Sequence, residues 1–181
     1  MGKSTAGQLL SARGILVIDT DQLAREESAA GTSGFEEIVS AFGREVIGPD
    51  GQLNRARLAQ RIFEDSSARL RLEGILHPRI ANSWRAEVER AREAGHSEMA
   101  VLIPLLFERG YQEEFSMVVT VACSKDTQRV RLQSRGWSDS QIQARNQAQL
   151  PVAEKMVRAR FVVWTEGELE THCRQWDRIL G

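Results

Sequence analysis

Cysteine is scarce in this chain, as is an excess of charge of either sign, and no apolar run is long. Cys123 and Cys173 are the only two thiols in 181 residues. They lie far apart and form no metal-type pair. Cys123 sits inside an apolar run, which reads as a reduced, buried thiol, and Cys173 is left as a candidate surface thiol. Lys and Arg number 24 against 25 Asp and Glu, for a formal net charge of −1. That balance gives no general pull toward nucleic acid or a membrane surface, so any anion site must be local, built from a few basic side chains. No apolar stretch approaches the roughly 20 residues that span a bilayer. The N-terminus lacks the apolar core of a secretory signal, so the expected location is the cytoplasm. Internal repeats and low-complexity linkers are also missing, which favours one domain with appendages.

What is present is an alternation of strand-like and helix-like segments. With 41% hydrophobic and 27% charged residues the composition is that of an ordinary globular protein. Residues 4–13 read as a helix with Leu9 and Leu10 inward, ended by Gly14. Ile15–Ile18 is a short, continuous apolar run, the pattern of a strand covered on both faces. Met99–Ile103, Met117–Ala122 and Phe161–Trp164 repeat it. Phe35, Ile38, Val39 and Phe42 form one helical face, Leu58, Ile62 and Phe63 another, and Trp84, Val88 and Ala91 a third. Strands alternating with helices predict an α/β fold with a doubly wound parallel sheet. The strand-free stretch from about 33 to 95 predicts a helical insert. The Arg- and Gln-rich residues 125–158 predict a solvated cover of two helical segments joined near Gly136–Ser138.

Chemistry enters at two places. Gly2-Lys3-Ser4-Thr5 opens the first helix and matches the end of the phosphate loop G-x-x-x-x-G-K-[ST]. In that loop backbone N–H groups at a helix N-terminus cradle phosphates, the lysine reaches the β- and γ-phosphates, and the hydroxyl ligates Mg²⁺. The plain alternative is a helix start with Ser4 or Thr5 as cap. Asp19-Thr20-Asp21 follows the Ile15–Ile18 strand, and in doubly wound sheets ligands bind beyond the carboxyl ends of strands. A carboxylate there is able to accept a hydroxyl proton or hold Mg²⁺. The alternative for Asp21 is an N-cap for a helix beginning at Gln22.

Val17-Ile18-Asp19-Thr20-Asp21-Gln22-Leu23-Ala24-Arg25 resembles the V-x-D-A-D-x-I-A-R segment of dephospho-coenzyme A kinases. The rest of that family's pattern follows in order: Phe42-Gly43, Asp50-Gly51-Gln52-Leu53-Asn54-Arg55, Ile62-Phe63, Leu76-His77-Pro78 and Pro104-Leu105-Leu106-Phe107-Glu108. Arg135, Arg145, Gln149 and Glu154-Lys155 complete it. The resemblance covers essentially the whole chain. It implies a P-loop kinase domain with a five-stranded parallel core, a helical substrate-binding insert (about 31–95) and a lid (about 125–158). It implies ATP- and Mg²⁺-dependent phosphorylation of the ribose 3′-hydroxyl of dephospho-coenzyme A, giving coenzyme A and ADP. Asp21 is then the general base, with Lys3 and the lid arginine Arg135 also catalytic. Gly2, Lys3, Ser4 and Thr5 hold the ATP phosphates, and Ser4 and Asp19 serve Mg²⁺. Asp19, Arg25, His77 and Leu105 line the dephospho-coenzyme A site. His77 before Pro78 has a simpler reading, as the end of a helix. No nucleic acid or membrane partner is implied.

Three departures accompany the likeness. Only the last positions of the phosphate loop are present, so Met1 is expected to be a misassigned start, with a strand and the first half of the loop upstream. Without that strand two neighbouring strands would lose ladder partners. Near the C-terminus Ala159-Arg160-Phe161-Val162-Val163-Trp164-Thr165-Glu166-Gly167 stands where the family has A-D-x-V-I-x-N-x-G, which leaves the nucleotide preference open. Met99–Ile103 carries no acidic residue, which makes Asp19 the better metal carboxylate. The competing readings are another small-molecule P-loop kinase and a truncated, non-catalytic coenzyme A-binding remnant.

Overall fold

A computed structural model describes residues 2–181. In chain order the helices are α1 (Lys3–Ser11), α2 (Thr20–Glu27), α3 (Ser33–Phe42), α4 (Arg55–Glu64), α5 (Ser66–Glu93), α6 (Lys125–Gln133), α7 (Asp139–Gln147), α8 (Val152–Arg158) and α9 (Leu169–Leu180). The strands are β1 (Leu16–Asp19), β2 (Met99–Leu102), β3 (Val119–Ala122) and β4 (Phe161–Trp164). All four fall where the short apolar runs predicted them. The chain divides into two compact units: Leu16–Leu102, and the residues up to Ile15 together with Ile103–Gly181.

In the Leu16–Leu102 unit, β1 and β2 pair in parallel, from Leu16 opposite Met99 to Asp19 opposite Leu102. A parallel pair needs a long crossover, and α2 to α5 supply it. Thr20 Oγ1 donates to Leu102 O (2.9 Å), pinning the first residue of α2 to the end of β2. The core is one apolar cluster of Ile38, Phe42, Val46, Leu53, Leu58, Ala68 and Leu72, with Phe35, Val39 and Ile62 packed around it. Two of the predicted helical faces meet there, except that Phe63, expected on the second face, is exposed. Each large side chain so buried contributes about 1.5–3 kcal/mol relative to exposure. Thr32, Asn54 and Asp65 cap α3, α4 and α5 by accepting the amides of Phe35, Arg57 and Ser67.

In the other unit β3 and β4 pair in parallel, Val119 opposite Phe161 through Ala122 opposite Trp164. Thr120 Oγ1 donates to Lys155 O (3.0 Å), fixing α8 on β3. The Arg13 guanidinium reaches Asp177 and the Cys173 carbonyl, tying the end of α1 to α9. Cys123 is a buried free thiol, as its apolar surroundings predicted, and Cys173 is half-buried.

Several expectations are corrected. The single continuous sheet is replaced, among the described residues, by two separate parallel pairs. All four strands read from the sequence are present, and each has one ladder partner among the described residues. Pro78 does not end a helix, because α5 runs 28 residues straight through it. Buried Leu72 before it and Ala81 and Trp84 after it keep the helical course on both sides. The 125–158 stretch holds three helices rather than two, since Pro151 starts a further one, α8. α1 begins at Lys3 and its last residue is Ser11, two short of the predicted end, with Gly14 in the left-handed region beyond it. No helix among the described residues is long and apolar enough to cross a membrane.

Candidate active site

The start of α1 is set by its backbone rather than by a capping side chain. Gly2 is the N-cap with φ +89°, a left-handed conformation that side chains resist, and no side chain caps the helix. The first helical bond runs from Ala6 N–H to Gly2 O (2.8 Å). The amides before it, those of Lys3, Ser4 and Thr5, have no acceptor within the helix. Ser4 and Thr5 are therefore not caps, contrary to the simpler sequence reading. Gly2 is fixed by more than φ: a Cβ there would lie 2.9 Å from Thr165 Cγ2. Lys3 is half-buried and Ser4 is exposed.

Asp19, not Asp21, caps α2. Asp19 closes β1 in extended conformation, and its Oδ1 accepts the Asp21 amide (3.0 Å). Asp21 lies in the exposed first turn, with Arg25 one turn later in the last. Acid first and base last is the arrangement the helix dipole favours. The other end of α2 is held by Arg55, from the Asp50–Arg55 motif. Its Nη2 donates to Arg25 O (3.3 Å) and to Ser28 Oγ (3.1 Å), while Ser28 donates to Ala24 O (2.6 Å). Ser28 is almost fully buried. Arg55 was legible only as part of a motif; its anchoring of α2 was not.

Asp19, Asp21, Arg25 and His77 thus belong to the Leu16–Leu102 unit. Gly2, Lys3, Ser4, Thr5, Leu105 and Arg135 belong to the other. His77 is half-buried in the middle of α5, immediately before Pro78. Leu105 is half-buried and begins a tight turn in which Arg109 N–H donates to Leu105 O (3.1 Å). Arg135 is exposed just beyond α6, in the turn leading to α7.

Two polar networks were missed from sequence. In the first, Arg131 Nη1 and Nη2 donate to Thr165 Oγ1 (2.9 Å) and Thr165 O (2.6 Å), and the Thr165 amide donates to Ala122 O (2.8 Å). Beside it Glu166 accepts the Ser124 amide (2.8 Å) and Trp164 Nε1 (3.2 Å). The Ser124 hydroxyl, then the Thr127 hydroxyl and the Ser124 amide, hold its carboxyl down at about 2. Burial, and then the Arg131 charge, push the His172 imidazole below its usual range. In the second network the buried Lys155 meets Glu108 at 2.7 Å. The signal for both lay in the departure at Thr165 and in the matched Glu108 and Lys155, but a sequence does not tell which side chains pair.

Among the described residues no group of three or more His, Cys, Asp or Glu is clustered as a metal centre.

Comparison with known proteins agrees along the chain. The family profile described as dephospho-CoA kinase matches residues 1–171. A dephospho-CoA kinase of Anaeromyxobacter dehalogenans is 44% identical over 181 residues, 99% of this chain and 86% of that one. That of Bdellovibrio bacteriovorus is 34% identical over 179 residues, 99% and 89%. A crystal structure from Thermus thermophilus superposes with a TM-score of 0.81 at 32% identity, covering 99% of this chain and 90% of that one. A dephospho-CoA kinase structure from Campylobacter jejuni gives 0.71 at 22% identity with the same coverage, a likeness of fold alone.

Proposed function

The chain belongs to the dephospho-CoA kinase family, and from that premise we propose how its residues carry the reaction. Its activity is that of a dephospho-CoA kinase, a phosphotransferase that uses ATP. The observation that carries this is the match of named relatives across nearly the whole chain, with the family profile running over residues 1–171.

In the proposed mechanism the first amides of α1 and the Lys3 ammonium bind the β- and γ-phosphates. Gly2 lets the backbone approach because it has no Cβ. The ribose 3′-oxygen of dephospho-CoA attacks the γ-phosphorus as the bond to the bridging β–γ oxygen breaks, and ADP leaves. The proton of that hydroxyl passes to the Asp21 carboxylate, exposed in the first turn of α2 and oriented by Asp19, whose carboxylate holds the Asp21 amide. Arg135 supplies a forked, permanently charged donor to the transferring phosphoryl oxygens. Arg25, His77 and Leu105 contact dephospho-CoA. Ser4 and Asp19 would hold Mg²⁺, which would supply positive charge against the phosphates. Residues 31–95 then act as the substrate insert and 125–158 as the lid of a doubly wound P-loop fold.

A panel of nucleosides, shikimate and dephospho-CoA, read by ADP release, tests the assignment: only dephospho-CoA is expected to stimulate it. Binding of dephospho-CoA without ADP release would support a non-catalytic binding protein instead. Asp21→Asn is expected to lower kcat by about 10²–10⁴-fold, the range for a lost general base, with ATP affinity nearly unchanged. Unchanged turnover removes Asp21 from the base role.

A further inference from the structure

We propose that Lys155 is a positioning residue, one amine that clamps the Pro104–Glu108 loop to the α7–α8 linker so that the two move as one piece. This rests on the proposed role of that loop in binding dephospho-CoA. Lys155 is 8% exposed. An ammonium has three donors, and each finds an acceptor: Glu108 Oε1 at 2.7 Å, Pro104 O at 3.0 Å and Gln149 Oε1 at 3.3 Å. Pro104 and Glu108 are the two ends of the loop, and Gln149 lies in the linker. Glu108 Oε1 also accepts the Leu150 amide (2.8 Å), so the linker backbone is held by the same carboxylate. The loop's own bonds, Arg109 N–H to Leu105 O, Gly110 N–H to Phe107 O and Tyr111 N–H to Leu106 O, make it a compact turn. It shifts as a body, not residue by residue.

A role in stability alone does not account for this pair. Taking two charges out of water is costly, and apolar replacements of similar size are often no less stable. What a hydrophobic pair would not supply is direction: three acceptors from two segments fix both segments relative to one nitrogen.

Lys155→Met alone would strand the Glu108 charge and is a poor test of position, so the decisive protein is Lys155→Met/Glu108→Leu. It is expected to melt close to the wild type. Its KM for dephospho-CoA is expected to rise roughly ten- to hundredfold, the scale of a small misplacement of a binding group, while KM for ATP stays put. Lys155→Arg, which keeps the charge but not the point geometry, is expected to recover the KM only in part. Equal rises in both KM values, or wild-type values for both, overturn the proposal. Amide exchange in the absence of ligands tests the clamp independently of activity. The amides of Leu150 and of Arg109–Tyr111 are expected to exchange faster together in the double variant. Acceleration at Leu150 alone overturns the proposal. A wild-type chain that does not phosphorylate dephospho-CoA defeats the functional reading but leaves the exchange result to decide the clamp.

Discussion

The two units of this chain combine apolar packing and polar ties in different proportions. Residues 16–102 are organised around one contiguous apolar cluster, Ile38 through Leu72, in which every member is an aliphatic or aromatic side chain. The other unit has smaller apolar contributions from Leu10, Ala122, Val163 and Trp176. Its segments are tied by side chains bonded to backbone: Arg131 on Thr165, Glu166 on Ser124, Lys155 on Pro104 and Thr120 on Lys155. Apolar packing is indifferent to pH and sensitive to volume. Polar ties depend on geometry, and on pH where a partner titrates, as Glu166 does.

Phe42→Ala is the strongest challenge to that contrast. It removes a ring from the centre of the apolar cluster and is expected to cost about 3–5 kcal/mol in urea unfolding, by the same amount at pH 5 and pH 8. A cost that varies with pH would show that charges, not volume, govern this unit too. Next comes Gly2→Ala, which puts a Cβ against Thr165 in a left-handed conformation. It is expected to weaken binding of a non-hydrolysable ATP analogue about tenfold, equivalent to roughly 1.4 kcal/mol, in calorimetric titration. Thr165→Ser in the same chain relieves the contact but not the strain, so it is expected to restore only part of the loss. The smallest effect is Glu166→Gln. Because its folded carboxyl is held at about 2, below its ordinary 4.5, its contribution is complete above about pH 4.5 and is lost as the pH falls toward 2. The wild type is therefore expected to lose more Tm than Glu166→Gln across that window, and the two are expected to run parallel above it.

The same contrast explains what could be read in advance. Four strands and the Phe35–Phe42 and Leu58–Ile62 faces were legible because burial imposes a period on the sequence, and period survives in a string of letters. Asp19 as the cap of α2, in place of Asp21, was not legible, since both acids precede the same apolar positions and only the backbone angle at 19 decides. Pro78 misled for a related reason. The rule that a proline ends a helix is local, whereas the burial of Leu72, Ala81 and Trp84 on either side of it holds the helix in place. The Lys155–Glu108 clamp and the Arg131–Thr165 contact had no periodic trace at all. Polar pairing is decided by two side chains meeting, not by either one's neighbours.

Pro78 gives α5 an uneven stiffness along its length. The ring has no N–H to offer the carbonyl four residues earlier, and the residue there is Gly74, which also lacks a side chain to brace the turn. A rod weakened at one point bends at that point. The segment before the weak point carries Ala68 and Leu72 in the apolar cluster, and the segment after it carries Ser83, whose hydroxyl donates to Glu27 at the end of α2. Any flexing between the cluster and the helix bearing Asp21 is therefore concentrated within a single turn of α5, and His77 rides on that turn.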